Sequence, residues 1–158
     1  MTGLVYTDSA GERVKNPDAK FMHAAMRGEC YQRGSYAPEG ELMIGNPARS
    51  CLLISRHPSR GWYLEYSKYE EPEQKLVAVQ PGGDRETWVE HWMGGETSYF
   101  LAACFVPQTL ADQAVAEFMA SGKASPALMW EPIDWRLHHR EDPPDDEAAV
   151  VEPADPSG

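Results

Sequence analysis

The sequence has no apolar run near the roughly 18 residues that a membrane-spanning helix requires. Its first residues, Met1 to Ala10, lack the basic start and apolar stretch of a secretory leader, so neither is expected. Only three cysteines occur, Cys30, Cys51 and Cys104, an odd number spaced far apart. That does not suit a disulfide framework and points to a reducing, cytoplasmic setting. Basic residues are scarce too: 14 Lys and Arg stand against 25 Asp and Glu, for a formal net charge of −11. Direct nucleic-acid binding needs clustered cations and is excluded on that ground. A protein partner with a basic cleft, such as one that itself binds nucleic acid, suits this charge.

Most signatures of catalysis are missing as well. There is no C-x-x-C pair, no H-E-x-x-H and no phosphate-cradling glycine loop. Gly82-Gly83 and Gly94-Gly95 lack flanking Lys, Ser or Thr in the required pattern and read as turns. His138-His139, with Asp142 and Asp145, offers metal-ligating types but runs into a proline-rich segment, where rigid ligation is not expected. Glu90 and His91 are strand neighbours, so they face opposite sides and form no direct acid/base pair. Cys104 lies inside a strongly apolar strand and reads as a buried thiol. No catalytic residue, metal or cofactor is assigned, and the expectation is a binding protein, not an enzyme.

What is present is enough for one core. The chain has 158 residues, 42% of them hydrophobic, which fits a single domain over residues 1–140. Residues 141–158 hold seven acids, four prolines, no aromatics and no Lys or Arg, and are expected to be a disordered tail. A first helix is expected over Pro17 to Arg27, with Asn16 as its N-cap, Phe21, Ala24 and Ala25 as a buried stripe, and Met22 and Met26 alongside. Short strands follow at Glu41 to Gly45, Cys51 to Ser55, Trp62 to Ser67 and Lys75 to Gln80, separated by proline and glycine turns. In the third of these, Trp62, Leu64 and Tyr66 share one face, with Tyr63 and Glu65 opposite.

Glu86 to Met93 alternates, with Trp88, Glu90 and Trp92 on one side and Val89, His91 and Met93 on the other. Gly94-Gly95 then makes a two-residue hairpin turn into a strand expected to run unbroken from Thr97 to Val106, apolar on both faces. A second helix is expected from Thr109, as N-cap, to a stop at Gly122, followed by a short strand at Ala127 to Glu131. The order implies an α+β fold, a mostly antiparallel meander of about six to seven strands with an N-terminal and a C-terminal helix packed on it.

Residues 62–92 mix aromatics with acids. Aromatic side chains dominate interface hot spots, and carboxylates beside them complement a basic partner. The partner-binding set expected from this block is Glu65, Tyr66, Tyr69, Glu70, Glu71, Trp88, Glu90 and Trp92. Glu90 tests it most directly: between two tryptophans, either its face is open or the carboxylate is buried and paired.

The second half also resembles a known family. A strand running into Pro107 is followed by A-x-x-A-V-x-E-F-M-x-S-G from Ala111 to Gly122, then Ser125-Pro126 and Trp130. Upstream, Glu41 to Asn46 and Gly61 to Tyr66 look like the family's early strands. Over roughly residues 35–135 the sequence resembles the Imm1 family of bacterial toxin-immunity proteins. The resemblance implies a cognate toxin domain as partner, commonly a nucleic-acid deaminase, bound so that its active site or substrate cleft is blocked. Such a deaminase works with zinc-activated water on an unstacked base, so filling the cleft inhibits it without chemistry. The alternative, from the residues alone, is a small ligand-binding or enzymatic domain with a pocket between sheet and second helix, lined by His91, Cys104 and tyrosines.

Overall fold

The computed structural model describes residues 3–28, 39–142 and 150–152. The chain opens with β1 (Leu4–Asp8), β2 (Arg13–Lys15) and α1 (Ala19–Met26). A run of antiparallel strands follows: β3 (Glu39–Ile44), β4 (Ser50–His57), β5 (Gly61–Lys68) and β6 (Gln74–Val79). The hairpin β7 (Thr87–Met93) and β8 (Glu96–Leu101) leads through a 3-10 turn (Ala102–Cys104) to β9 (Phe105–Val106) and α2 (Gln108–Ser121). Three short strands complete the set: β10 (Met129–Pro132), β11 (His139–Arg140) and β12 (Val150–Glu152). Among the described residues, no helix is long and apolar enough to cross a membrane.

The fold is α+β and mostly antiparallel, with the strands divided between two sheets. The larger runs β10-β6-β5-β4-β3-β1-β2, with β9 also paired to β5. The smaller runs β11-β8-β7-β12. The strand alternation dictates three layers. Trp62, Leu64 and Tyr66 of β5 face the helices and join Met22, Ala25, Ala111, Val115 and Phe118 in one core. Tyr63, on the opposite face, joins Val77, Val89, Phe100 and Phe105 in a second core between the two sheets. β5, a central strand, therefore buries side chains on both faces, the two-sided cover that had been expected of Thr97 to Val106.

Several local expectations need correction. Helix α1 is capped by Asp18, whose carboxylate accepts the Phe21 amide at 2.7 Å; Asn16 has φ 49 and lies before the helix. Phe21 and Ala24 are half-buried, and Met22, Ala25 and Met26 carry the buried stripe. Helix α2 is capped by Pro107, whose extended backbone lets its carbonyl accept the Leu110 and Ala111 amides. Thr109 is thus inside the first turn. Asp112 takes the guanidinium of Arg27 at 2.9 Å and the amide of Gln108 at 3.0 Å, tying the two helices together.

The strand expected from Thr97 to Val106 is broken. Its apolar character on both faces arises because the chain crosses from the small sheet to the large one through buried Ala102, Ala103 and Cys104, small enough to pass through the core in a tight turn. The tail expectation is corrected for three residues. Val150–Glu152 pairs parallel with Thr87–Val89, the β-branched Val-Val supplying strand propensity at the β7 edge. Residues 143–149 and 153–158 of that tail lie outside the described residues, as does Cys30.

Candidate functional site

The outward face of the small sheet is built by β7. Its turn, Gly94-Gly95, has φ of 63° and 81°, the mirror-image turn that matches strand twist and that side chains resist. Alternation then sends Val89 and His91 inward, both buried, and leaves Trp88, Glu90 and Trp92 on the other side. Trp92 is 47% exposed; Trp88 and Glu90 are half-buried. In the ladder, Tyr99 lies opposite Glu90 and Thr97 opposite Trp92. Arg140, opposite Tyr99 on β11, places its guanidinium 5.6 Å from the Trp88 ring centre, a cation–π contact. Glu86 and Glu96 are exposed near the two ends of β7. Asp84 closes the entry to β7 by accepting the Glu86 and Thr87 amides at 2.8 and 3.0 Å. The Thr87 hydroxyl bond and these two amides hold its carboxyl below the usual carboxylate range.

The inner side of β7 is locked to the large sheet. His91 Nε2 shares a hydrogen bond of 2.8 Å with the Ser55 hydroxyl. His57 Nε2 donates to the Glu90 carbonyl at 3.2 Å, and its Nδ1 accepts the Ser59 amide at 3.2 Å, which fixes its tautomer. Burial first, and then His57, push the His91 imidazole down to about 3, so it is neutral in the fold. The Gly94 amide donates to the Glu39 carboxylate at 2.9 Å, tying the hairpin tip to β3. A serine–histidine contact also suits nucleophilic catalysis. Here both partners are buried, and His91 packs edge-on against Phe100 and Phe105, which makes the contact a clamp between sheets.

The expected partner-binding residues do not form one patch. Trp88, Glu90 and Trp92 share one side of β7, Trp92 exposed and the other two half-buried. Tyr69, Glu70 and Glu71 are exposed in the β5–β6 turn, at the opposite end of β5 from the Gly61 end where His57 anchors β7. Glu65 is largely buried: it accepts the Tyr63 hydroxyl at 3.0 Å and lies 3.7 Å from Lys75, and burial raises its carboxyl pKa against both contacts. Tyr66 is in the helix-side core and donates to the Gly122 carbonyl at 3.2 Å, so it lies on the opposite side of the large sheet from Trp88, Glu90 and Trp92.

One exposed aromatic element escapes the sequence reading. Residues 133–138 form a tight turn in which the Asp134 carboxylate accepts the Arg136 and Leu137 amides. His138 accepts the Asp134 amide on Nδ1 and donates from Nε2 to Glu131 at 3.0 Å, and Glu131 also pairs with Arg85. Trp135 and Leu137 stand out from this frame, each 48% exposed. His139 packs beside Trp135 and against Phe100, while the neighbouring Arg140 reaches the Trp88 ring. The local signal was an Asp at a turn start with large apolar residues one and three positions on.

His91 and Cys104, expected to line a pocket beside α2, are both buried between the sheets. Burial pushes the Cys104 thiol up to about 12, far from the range of a reactive thiolate. No family model matches the chain, no curated protein matches its sequence and no solved structure matches its fold.

Proposed function

We propose that the chain is a cytoplasmic immunity protein that binds a cognate toxin domain, a nucleic-acid deaminase, and occludes its active site or substrate cleft. The observation that carries this reading is the Trp88–Glu90–Trp92 face: two tryptophans flank a carboxylate on a sheet backed by a locked core. Tryptophan supplies large contact area at small entropic cost and is enriched at hot spots. A rigid backing means that little further ordering is needed on association. Glu86, Glu90 and Glu96 add negative charge, which steers the face toward a cleft shaped for phosphates. A deaminase toxin as the partner is what the resemblance to the Imm1 family implies.

The test is coexpression with the C-terminal domain encoded by the adjacent gene. Rescue of growth, suppression of base changes in nucleic acid and a co-purifying one-to-one complex are the expected results. Toxicity without rescue rejects the reading. Within such a complex, Trp92→Ala is expected to weaken binding at least about 30-fold, the scale of a 2 kcal/mol hot spot. Glu90→Lys with Glu86→Lys lowers the association rate and flattens its salt dependence. Glu70→Lys with Glu71→Lys, in the distant turn, leaves the dissociation rate unchanged. Kinetics by surface capture at two salt concentrations check all three; an unaffected Trp92→Ala complex would remove this face as the interface.

A further inference from the structure

Beyond the end of α2, the helix-side face of the large sheet borders a hollow of about 490 Å³. Ile44, Ser50 and Tyr66, on three adjacent strands, line it from the sheet, and Ser121 to Ala124 line it from the helix end. The surrounding segments are fixed independently. Tyr66 donates its hydroxyl to the Gly122 carbonyl, Gly122 closes the helix on Phe118, and Ser121 is bonded to Glu117. On the opposite side the Arg49 amide donates to Ile44 at 2.7 Å, and the Tyr69 amide donates to Arg49 at 2.9 Å.

Three cations share this hollow: Arg49, Lys68 and Lys123. Of the residues that line it, Glu70 alone is acidic; it lies 3.9 Å from Arg49, in a pair whose side chains are 60% and 59% exposed. The lining keeps a formal excess of two positive charges. The carbonyl end of α2 accounts for Lys123, since cations favour helix C-termini. It does not account for Arg49 and Lys68, which belong to the sheet side. In a chain of net charge −11, this is a local reversal of sign around a concavity with Tyr66, Ile44 and Ala124 as apolar lining.

We propose that this hollow is a binding site for a small organic anion, a phosphate or carboxylate carried on an apolar body. The volume falls within the range of small-molecule sites. The anionic group lies among Arg49, Lys68 and Lys123, and the apolar body rests on Tyr66 and Ile44. The site is on the opposite face of the large sheet from the small sheet, so it stands independently of the toxin-binding reading.

The experiment is an NMR titration of the whole chain with phenyl phosphate, following backbone amides, with phenol and inorganic phosphate as separate arms. Saturable shifts are expected at Lys68 and Ser121 to Ala124, with a dissociation constant of about 1 mM or tighter. Lys68→Gln with Lys123→Gln weakens binding roughly tenfold or more while the melting temperature is retained, and Arg49→Gln gives the same direction if the double variant fails to fold. Absence of saturable shifts, an equal response to phenol, or unchanged affinity in the folded variants overturns the proposal. Inorganic phosphate binding as tightly as phenyl phosphate also overturns it, because the apolar body would then contribute nothing.

Discussion

Acidification from about pH 7 to pH 4 is expected to remove on the order of 3 kcal/mol of stability through one side chain, His91. Its ring is buried between the sheets, bonded to Ser55 and packed against His57, Phe100 and Phe105. Burial holds the folded-state value at about 3, against 6.5 for the free side chain. The unfolded chain therefore takes up a proton that the folded chain refuses. The contribution is fully present above pH 6.5 and is lost as pH falls toward 3, at roughly 1.4 kcal/mol per unit inside that window. Glu39 and Glu65 oppose it in part, because burial raises both carboxyls and favours protonation in the fold. Urea unfolding at several pH values measures the slope. His91→Gln lowers stability at pH 7 but flattens the decline below it. Parallel slopes in the two proteins would mean that His91 is not buried in its neutral form.

The second large effect is expected at Gly61. It opens β5 at φ 102°, a conformation that L side chains rarely adopt. A Cβ built there would run into the Val106 carbonyl oxygen, a backbone atom that cannot swing aside. The neighbouring pair Trp62–Val106 is one of two by which β9 joins the large sheet. Gly61→Ala therefore strains its own backbone and pushes the returning strand off β5, at a cost of roughly 2–4 kcal/mol. Gly11→Ala is the control, since its φ of 84° is nearer to that of Gly61 and its surround is open, and it should cost only about 1 kcal/mol. Equal effects from the two substitutions would show that contact with Val106 does not matter.

The layers were legible where periodicity is local. In β5 the alternation correctly set Trp62, Leu64 and Tyr66 on one face and Tyr63 and Glu65 on the other; that the second face is covered too was not legible, because Glu65 makes it look solvent-facing. In β7, the same alternation separates Trp88, Glu90 and Trp92 from Val89 and His91, and the glycine pair fixes the turn. What the pattern cannot carry is pairing at long range. The break at Ala102–Cys104 is invisible because an apolar run reads alike whether it crosses one core or joins two. Helix starts at Asp18 and Pro107 depended on which neighbour met the amides, and composition had favoured Asn16 and Thr109. Grouping Glu65 and Tyr66 with the exposed acids failed because both are spent within the fold, on Lys75 and Gly122 respectively. Trp135 and Leu137 owe their exposure to Asp134, His138 and Glu131, contacts that span only seven residues but have no characteristic period.

The β7–β8 hairpin of the small sheet is entered and left through nearly the same point. The Gln80 amide donates to the Ala103 carbonyl, and the Ala103 amide donates to Asp84 at 2.8 Å, so the hairpin between them is a closed excursion from the main scaffold. Its inward residues are committed to the core shared with the large sheet, Trp88 also packs against that core, and of the outward positions Trp92 and Thr97 are exposed. Substitutions at the exposed positions 92 and 97 therefore spare the core that the hairpin shares with the large sheet, whereas position 88 is tied to it.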